Sequence, residues 1–331
     1  MEYRHLGTSG LQVSVLSLGT WITFADQGDE AVVYECMKRA YDAGVNFFDT
    51  AEEYTDGRAE TVLGRLIKKA GWKRSDLVIS TKIFWGGKGP NDRGLSRKHI
   101  IEGTDASLER LQMEYVDLLY CHRPDIHTPI EETVRAMSHL VDRGKVFYWG
   151  TSEWSAQQIT EAHAVARREH LNPPTMEQPQ YNMFYRDRVE KEYKPLYRDF
   201  GLGLTTYSPL ACGLLTGKYN NGIPEGTRAL LPAYQWLRHY FEGEQAERNI
   251  EKIRLLTSLA ADLGISTAKL ALLWCLKNPN VSSVITGASK PAQVTENMKV
   301  LEEIEKLTPP ILGRIENILD NKPNPEEDFR L

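Results

Sequence analysis

The sequence predicts an α/β protein whose eight parallel strands close into a (β/α)8 barrel, and three observations lead to this prediction. An amphipathic helical stretch ending in glycine or a polar break is repeatedly followed by a short β-rich run, as at 43–49, 143–149 and 200–206. The first seven such runs recur about every 30 residues, the length of a βα unit. The first run enters 18–21 without a Gly-x-Gly-x-x-Gly pattern, which makes an open doubly wound sheet the weaker alternative.

Local patterns place each element in turn. Residues 1–15 predict a β-hairpin that turns at Thr8-Ser9-Gly10, and we expect it to plug the barrel floor. Helix starts are indicated at 128–131, where a threonine cap, a proline and a capping-box glutamate stand in register, and at 155–158. The eight buried strands are centred near Ser17, Phe48, Ser80, Leu118, Tyr148, Glu177, Thr205 and Ser283.

The pattern predicts a single domain over residues 1–331. A long insertion, 208–248, separates the seventh strand from the last βα unit. We expect it to cover a cofactor, because a long segment at the active face of a barrel is usually functional. Residues 322–331 are polar and contain proline, which predicts a loose tail.

The composition excludes several classes of function. The chain has 40 basic and 45 acidic residues and a net charge of −5, which argues against a nucleic-acid binder. Its longest apolar run, 270–276, is far shorter than the roughly 18 residues that indicate a membrane span, so we expect no membrane insertion. The four cysteines are scattered without a Cys-x-x-Cys pair, which predicts a reducing, cytoplasmic location.

Four polar side chains stand at or just after adjacent strand ends, where barrel enzymes carry their catalytic groups: Asp49, Tyr54, Lys82 and His122. A phenol is a weak acid with a pKa of about 10, but a nearby ammonium lowers that pKa and a carboxylate keeps the ammonium charged. A histidine then polarises a carbonyl, so the set predicts general-acid chemistry on carbonyl compounds. Any one of these residues taken alone is better explained by a structural ion pair or by packing.

The walls of a substrate pocket are also indicated. We expect Trp21 and Trp85 to line it together with Tyr54 and His122, although either tryptophan also fits a core position. Residues 85–90 are rich in glycine but lack the Gly-Lys-Ser/Thr ending of a phosphate-binding loop, and we interpret them as a mobile loop over the pocket. The histidines form no metal-ligand pattern. A metal site is therefore not expected, and a metal-dependent barrel hydrolase is disfavoured.

The segments that carry these side chains resemble a known family. Residues 45–54, 80–82 and 117–124 are similar to motifs of the aldo-keto reductases. One branch of that family is resembled more closely at residues 150–154, at residues 177–184 and at the start of the insertion, 208–213. This branch holds the voltage-gated potassium-channel β-subunits and their plant and microbial relatives. The resemblance implies a barrel that binds NADP(H), often as a tetramer, with a membrane channel as a possible partner.

The resemblance also implies a role for each matching residue. Tyr54 is the proton donor, Lys82 and Asp49 tune it, and His122 orients the carbonyl. Ser152 and Gln178 hold the nicotinamide carboxamide and Tyr207 stacks on the ring, and other side chains expected at the cofactor are Thr20, Trp21, Gln27 and Asp49. The pyrophosphate is lined through the loop backbone by Ser208, Pro209, Leu210, Ala211, Cys212 and Gly213. The adenosine end and its 2′-phosphate involve Gly287, Ser289, Gln293, Glu296, Asn297, Lys218 and Arg228.

Two departures from the family pattern bear on function. Channel β-subunits tend to have asparagine where this chain has His122, which favours a working reductase. Many reductases have asparagine where this chain has Glu153, so the completion of the carboxamide site is open. The sequence therefore predicts an NADPH-dependent reductase of small aldehydes or ketones. The alternative is an accessory channel subunit that uses its cofactor as a redox sensor.

Overall fold

A computed structural model describes residues 1–21, 29–230, 237–238, 240–325, 327 and 329–330. Gln27 therefore lies outside the described residues, as does the side chain of Arg228. The chain forms two compact units. The first contains residues 1–179, 192–207 and 280–298, and the second contains residues 180–191, 208–279 and 299–331. The expectation of a single domain stays a prediction.

The first unit contains the predicted hairpin and barrel. Strands β1 (Tyr3–His5) and β2 (Gln12–Ser14) pair antiparallel. Eight further strands form a closed barrel of parallel pairs, and each contains one of the predicted strand centres. The (β/α)8 prediction is thus confirmed. The barrel strands are β3 (Leu16–Gly19), β4 (Phe47–Asp49), β5 (Val78–Ile83), β6 (Val116–Cys121), β7 (Val146–Thr151), β8 (Met176–Glu177), β9 (Gly203–Thr206) and β10 (Val281–Thr286).

The hairpin lies against the amino-terminal ends of the barrel strands. The Nη1 of Arg4 donates to the carbonyl of Val281, the first residue of β10, at 2.9 Å. The backbone N–H of Ser14 donates to Oδ1 of Asn46, which immediately precedes β4, at 2.7 Å. The hairpin side chains Leu6 and Val13 are buried in one core cluster with Phe47, Val78, Leu118, Tyr120, Met176 and Ile285. This burial removes apolar surface at the barrel floor from water.

Helices follow the strands of the first unit, as the alternating pattern predicts. They are α1 (Glu30–Asp42), α2 (Arg58–Ala70), α3 (Arg97–Leu111), α4 (Ile130–Asp142), α5 (Ala156–Glu169), α6 (Lys194–Phe200) and α9 (Pro291–Met298). The α2–α3 contact is close: a Cβ on Gly64 would lie 2.1 Å from the carbonyl oxygen of Leu111. Glycine is required there because no larger side chain fits against that backbone.

Helices begin within both predicted segments, but only one of the two predicted caps is formed. Ser155 and Gln158 form a complete capping box at α5. At α4 the N-cap is Pro129, without a side-chain cap bond, and the Thr128 hydroxyl instead donates to Oδ2 of Asp125 at 2.7 Å. The carboxylate of Asp125 is a stronger acceptor than a hydroxyl, and its attraction for Thr128 removes the expected cap.

The second unit contains α7 (Glu244–Asp262), α8 (Thr267–Leu276) and α10 (Pro309–Leu319). The buried guanidinium of Arg186 links two segments of this unit, because it forms ion pairs with Glu190 at 2.8 Å and with Glu316 of α10 at 2.7 Å. It also lies 5.0 Å from the ring centroid of Trp274. Within the described residues, no single helix is long and apolar enough to cross a membrane; α7 and α8, bent by 91°, satisfy that length and composition only as a pair.

Candidate active site

Strand ends bring the four predicted catalytic residues together at the carboxyl edge of the barrel. Asp49 is the last residue of β4 and pairs in register with Ser80 of β5. Lys82 lies near the end of β5, and His122 directly follows β6. Tyr54 belongs to the turn after β4. Because parallel strands end at the same edge of a barrel, the sequence spacing of these residues predicts their meeting.

The Lys82 ammonium is completely buried and has three acceptors. Its Nζ donates to Oδ2 of Asp49 at 2.7 Å, to the carbonyl of Thr50 at 2.6 Å and to the hydroxyl oxygen of Tyr54 at 3.0 Å. An ammonium carries three hydrogens, so all of them are used. Burial lowers the pKa of Lys82, while the adjacent Asp49 carboxylate opposes that change.

The Asp49 carboxylate is held rigidly by three donors. Besides the bond from Lys82 to Oδ2, its Oδ1 accepts from the hydroxyl of Ser80 at 2.6 Å and from Nε2 of Gln178 at 3.1 Å. Oxygens that are fully hydrogen-bonded stay oriented, and a fixed carboxylate keeps Lys82 aimed at the phenol of Tyr54.

The pKa of the Tyr54 phenol is shifted in the opposite direction to the one that the sequence suggests. Burial raises the pKa of Tyr54 well above its usual value, and the carboxylates of Asp49 and Glu53 raise it further, against a lowering effect of Arg123. The pKa of Tyr54 is therefore raised overall, and not lowered as the sequence leads one to expect. The physical reason is that Asp49 already neutralises Lys82, and burial penalises the phenolate. The phenol consequently remains protonated.

His122 is buried between two aromatic rings. Its ring centroid lies 5.8 Å from that of Tyr54 and 5.2 Å from that of Trp85, both nearly perpendicular. Burial lowers the pKa of His122 well below its usual value, and the positive charges of Lys82 and Arg123 lower it further. The imidazole is therefore neutral at physiological pH. The expected wall residue Trp85 thus contacts the predicted catalytic histidine.

The other expected wall residue and the glycine-rich loop are placed as follows. Trp21 is 37% exposed at the end of the described segment 1–21. In the loop after β5, the N–H groups of Gly86 and Gly87 both donate to the carbonyl of Asp92, and the Asp92 carboxylate accepts from the N–H of Gly89 at 2.8 Å. These bonds give the loop a defined path, and its predicted motion stays a prediction.

Two charged residues at this edge, Glu53 and Arg123, are not among the site residues that the sequence predicts. Oε1 of Glu53 lies 3.7 Å from Nδ1 of His122. The Nη1 of Arg123 donates to the carbonyl of His122 at 2.6 Å and to the hydroxyl of Ser152 at 3.2 Å. Their direct adjacency in sequence to Tyr54 and His122 is the signal that could have found them. Side-chain direction in these turns is not set by strand periodicity, so adjacency alone does not show which neighbour faces the site.

The residues expected around the nicotinamide are buried and mutually bonded. The Ser152 hydroxyl donates to the carbonyl of Gln178 at 2.8 Å, and the side chain of Gln178 contacts Asp49. Thr20 donates to the hydroxyl of Thr50 at 2.8 Å. Tyr207 is half-buried, and the Arg123 guanidinium lies 5.9 Å from its ring centroid. This edge therefore offers amide and hydroxyl groups that fit a carboxamide, beside an aromatic face that fits a planar ring.

The residues expected around the adenosine are at the start of α9. The N–H groups of Ser289 and Lys290 donate to Oε1 of Gln293 at 2.9 Å and 3.2 Å. These amides are the donors that a phosphate would need, so Gln293 must turn aside for them to bind one. Asn297 is buried and Glu296 lies on the same helix, while Gly287 precedes it in an open position.

The remaining expected cofactor residues belong to the second unit. The turn 208–213 has an unusual backbone, with positive φ at Ser208, Ala211, Cys212 and Gly213. Leu210 and the buried Pro209 complete it. The carbonyl of Ser208 accepts from Nδ2 of Asn182 at 2.9 Å. The Nζ of Lys218 lies 4.8 Å from the ring centroid of Tyr219. The N–H groups of Ala211 and Gly213 donate to the carbonyls of Ser208 at 3.0 Å and Leu210 at 2.9 Å.

A parallel barrel with a lysine, a carboxylate, a phenol and a histidine at its carboxyl edge belongs to the class of barrels whose side chains suit general-acid chemistry. Within the described residues, no cluster of three or more potential metal ligands is present. Comparison of the sequence with known families then narrows the class. The chain belongs to the aldo/keto reductase family, whose model matches residues 15–320. This is a family of oxidoreductases that generally bind NADP(H).

Two plant proteins are similar along their entire length. The chain is 56% identical over 331 residues to a protein of Arabidopsis thaliana named probable voltage-gated potassium channel subunit beta. It is 54% identical over 331 residues to a protein of Oryza sativa subsp. japonica with the same name. Each alignment covers 100% of both chains. The resemblance to this branch of the family is therefore confirmed.

Proposed function

We propose that the protein is an NADP(H)-dependent reductase that converts aldehydes or ketones to alcohols, with Tyr54 as the proton donor. The observation that carries this proposal is the bond from Lys82 to the Tyr54 oxygen. Since the phenol oxygen accepts this bond, its own hydrogen is available to a second acceptor. A substrate carbonyl oxygen is such an acceptor, and Asp49, Tyr54, Lys82 and His122 are the proposed catalytic residues.

The residues of the barrel edge fit the nicotinamide end of the cofactor. Ser152 and Gln178 are both buried polar side chains, and the half-buried ring of Tyr207 is the proposed stacking partner. When bound, the cofactor would supply a hydride to the carbonyl carbon. We propose that Thr20, Trp21 and Gln27 also contact it, and that the other cofactor residues are the turn 208–213 with Lys218, Arg228, Gly287, Ser289, Gln293, Glu296 and Asn297.

The chain's own groups complete the reaction. As the carbonyl oxygen gains negative charge, Tyr54 transfers its phenolic proton to that oxygen, and the product is a neutral alcohol. The buried ammonium of Lys82 stabilises the phenolate that remains. Exclusion of water strengthens these interactions, since Lys82 is completely buried and His122 is only 5% exposed. Trp21 and Trp85 are the proposed walls of the substrate pocket.

The test is turnover of NADPH with a panel of aldehydes and ketones, followed by the ultraviolet absorbance of the reduced nicotinamide. We expect consumption that depends on both protein and carbonyl compound, and stoichiometric alcohol product. A folded protein that binds NADPH but consumes none with any member of the panel contradicts the proposal.

A second candidate function is an accessory subunit of a potassium channel that responds to the redox state of its cofactor. The full-length identity of 56% to a protein named as a channel β-subunit favours it. For either function we propose a cytoplasmic homotetramer. Light scattering tests the oligomer, and co-purification with a plant potassium channel tests the partner. Loss of co-purification in the presence of NADP+ but not NADPH is the outcome expected of a redox sensor.

A further inference from the structure

The Glu53 carboxylate faces Nδ1 of His122, which leaves Nε2 for the carbonyl oxygen in the proposed reaction. Its Oε1 lies 3.7 Å from Nδ1 of His122. That Nδ1 is buried and has no hydrogen-bond partner within the described part of the chain. A buried ring nitrogen without a partner is costly.

Glu53 can also exchange protons with water, unlike His122. Its side chain is 30% exposed, whereas that of His122 is 6% exposed. The charged groups facing it are the cations Lys82 and Arg123 and the neighbouring carboxylate of Glu52. Burial raises the pKa of Glu53 to about 7, while Lys82 and Arg123 act against this rise. The carboxyl group is therefore present in both protonation states near neutral pH.

The protonation state of Glu53 determines which nitrogen of His122 carries the hydrogen. A protonated Glu53 donates its O–H to Nδ1, so the neutral imidazole holds its hydrogen on Nε2. An ionised Glu53 accepts from Nδ1, so the hydrogen moves there and Nε2 becomes an acceptor. A substrate carbonyl oxygen accepts hydrogen bonds and donates none. It is polarised by His122 only in the first of these states.

We propose that Glu53 is a positioning residue that sets the tautomer of His122 and so switches the polarisation of the substrate carbonyl on and off with pH. This inference rests on the proposed reductase function for its consequence, although the tautomer itself exists without turnover. No bond to substrate is made by Glu53. It acts through His122 alone.

The first experiment reads the tautomer directly, without cofactor or substrate. The protein is labelled with ¹⁵N-histidine, and the His122 signals are identified among the eight histidines as those missing from His122→Asn. We expect the wild-type His122 hydrogen to move from Nε2 to Nδ1 as the pH rises through about 7. In Glu53→Gln, which cannot ionise, the tautomer should not change with pH. A wild-type His122 tautomer that is constant across this range overturns the inference.

The second experiment measures kcat/KM for aldehyde reduction against pH. In wild type we expect a fall of at least about tenfold as Glu53 ionises, because the carbonyl loses one hydrogen-bond donor. In Glu53→Gln the profile should be flat over the same range. The matched control is Asp56→Asn, which removes an exposed negative charge from the same turn and should retain the wild-type profile. Identical profiles in wild type and Glu53→Gln overturn the inference.

The two experiments separate this inference from the proposed function. A His122 tautomer that follows Glu53, in a protein that reduces no carbonyl compound, supports the positioning role and contradicts the reductase. A reductase whose His122 tautomer ignores pH supports the proposed function and contradicts the positioning role.

Discussion

The hydroxyl oxygen of Tyr54 accepts a hydrogen bond from Nζ of Lys82 at 3.0 Å, which leaves the phenolic hydrogen for another acceptor. The high pKa that burial gives this phenol keeps the hydrogen in place until negative charge develops on a bound oxygen. A proton donor of this kind is inactive toward water and becomes effective only against a strong base, such as the oxygen of a carbonyl that is receiving hydride.

Replacement of Tyr54 by phenylalanine tests the proton donor. We expect kcat to fall at least about 10²-fold, the usual size of a general-acid contribution, because the ring is kept and only the acidic hydrogen is lost. The Kd for NADPH should stay nearly the same. Steady-state kinetics and fluorescence titration measure the two quantities. Tyr34→Phe on α1 is the control, and near-normal turnover in Tyr54→Phe would exclude Tyr54 as the acid.

Replacement of Lys82 by methionine should abolish reduction at neutral pH and also destabilise the fold. The reason is that Asp49, with a side chain only 5% exposed, would lose its cation. Leaving one buried charge unpaired costs about 3–5 kcal/mol, which urea unfolding can measure. The double variant Lys82→Met with Asp49→Asn should recover much of this stability without recovering activity. If stability and activity return together, Lys82 is only a structural ion-pair partner.

Replacement of Asp49 alone by asparagine should be milder than loss of Lys82. Burial already lowers the pKa of Lys82, so without Asp49 the ammonium can shed its proton at lower cost. We therefore expect activity that is retained at lower pH and lost as the pH rises through the reduced pKa of Lys82. A pH–rate profile identical to wild type would show that Asp49 does not hold the charge of Lys82.

Lys218 and Arg228 are proposed contacts of the 2′-phosphate. Their loss should therefore weaken the binding of NADPH and leave the binding of NADH unaffected. One charge-assisted hydrogen bond contributes about 1.5–3 kcal/mol, or roughly ten- to a hundredfold in Kd. Titration of both cofactors into Lys218→Ala and Arg228→Ala measures the difference. If the binding of NADPH and NADH weakens equally, or if neither weakens, these residues do not contact the 2′-phosphate.

His163 should make the stability of the barrel sensitive to mild acid. It stacks on Phe200 with ring centroids 4.0 Å apart, and burial lowers its pKa from 6.5 to about 4. The unfolded chain therefore binds this proton between those values while the folded chain does not, so stability falls as the pH drops through that window. We expect the loss of unfolding free energy over this window to be roughly 1–3 kcal/mol smaller in His163→Phe than in wild type. His127→Gln, at an exposed position, is the control, and an unchanged pH dependence in His163→Phe would contradict the assignment.

The fold was predictable because its signals are local and repeated. Most barrel strands follow a helix end and are short and buried, and the barrel forms from the repetition of that unit. The same logic placed Asp49 and Lys82 at one edge, since strand ends are fixed by periodicity. The capping of α4 was not predictable in this way, because the acceptor that engages Thr128 lies three residues upstream at Asp125.

The parts of the site that the sequence did not predict depend on side-chain direction in turns. Glu52 and Glu53 are adjacent and chemically identical, yet Glu52 is buried against the N–H of Phe84 while Glu53 faces His122. Gln293 is another example. The resemblance assigns it to the adenosine end, which stays a proposal, and its side chain bonds to the N–H groups of its own helix start. No periodic pattern distinguishes these outcomes.

The three acceptors around Lys82 have a consequence for its chemistry as an amine. Aldehydes condense with amines to form imines, and this attack requires the nitrogen lone pair. With its hydrogens directed at Asp49, Thr50 and Tyr54, the nitrogen has no lone pair to offer. Under the proposed function, an aldehyde bound beside this lysine would therefore meet it in a form that cannot be trapped covalently.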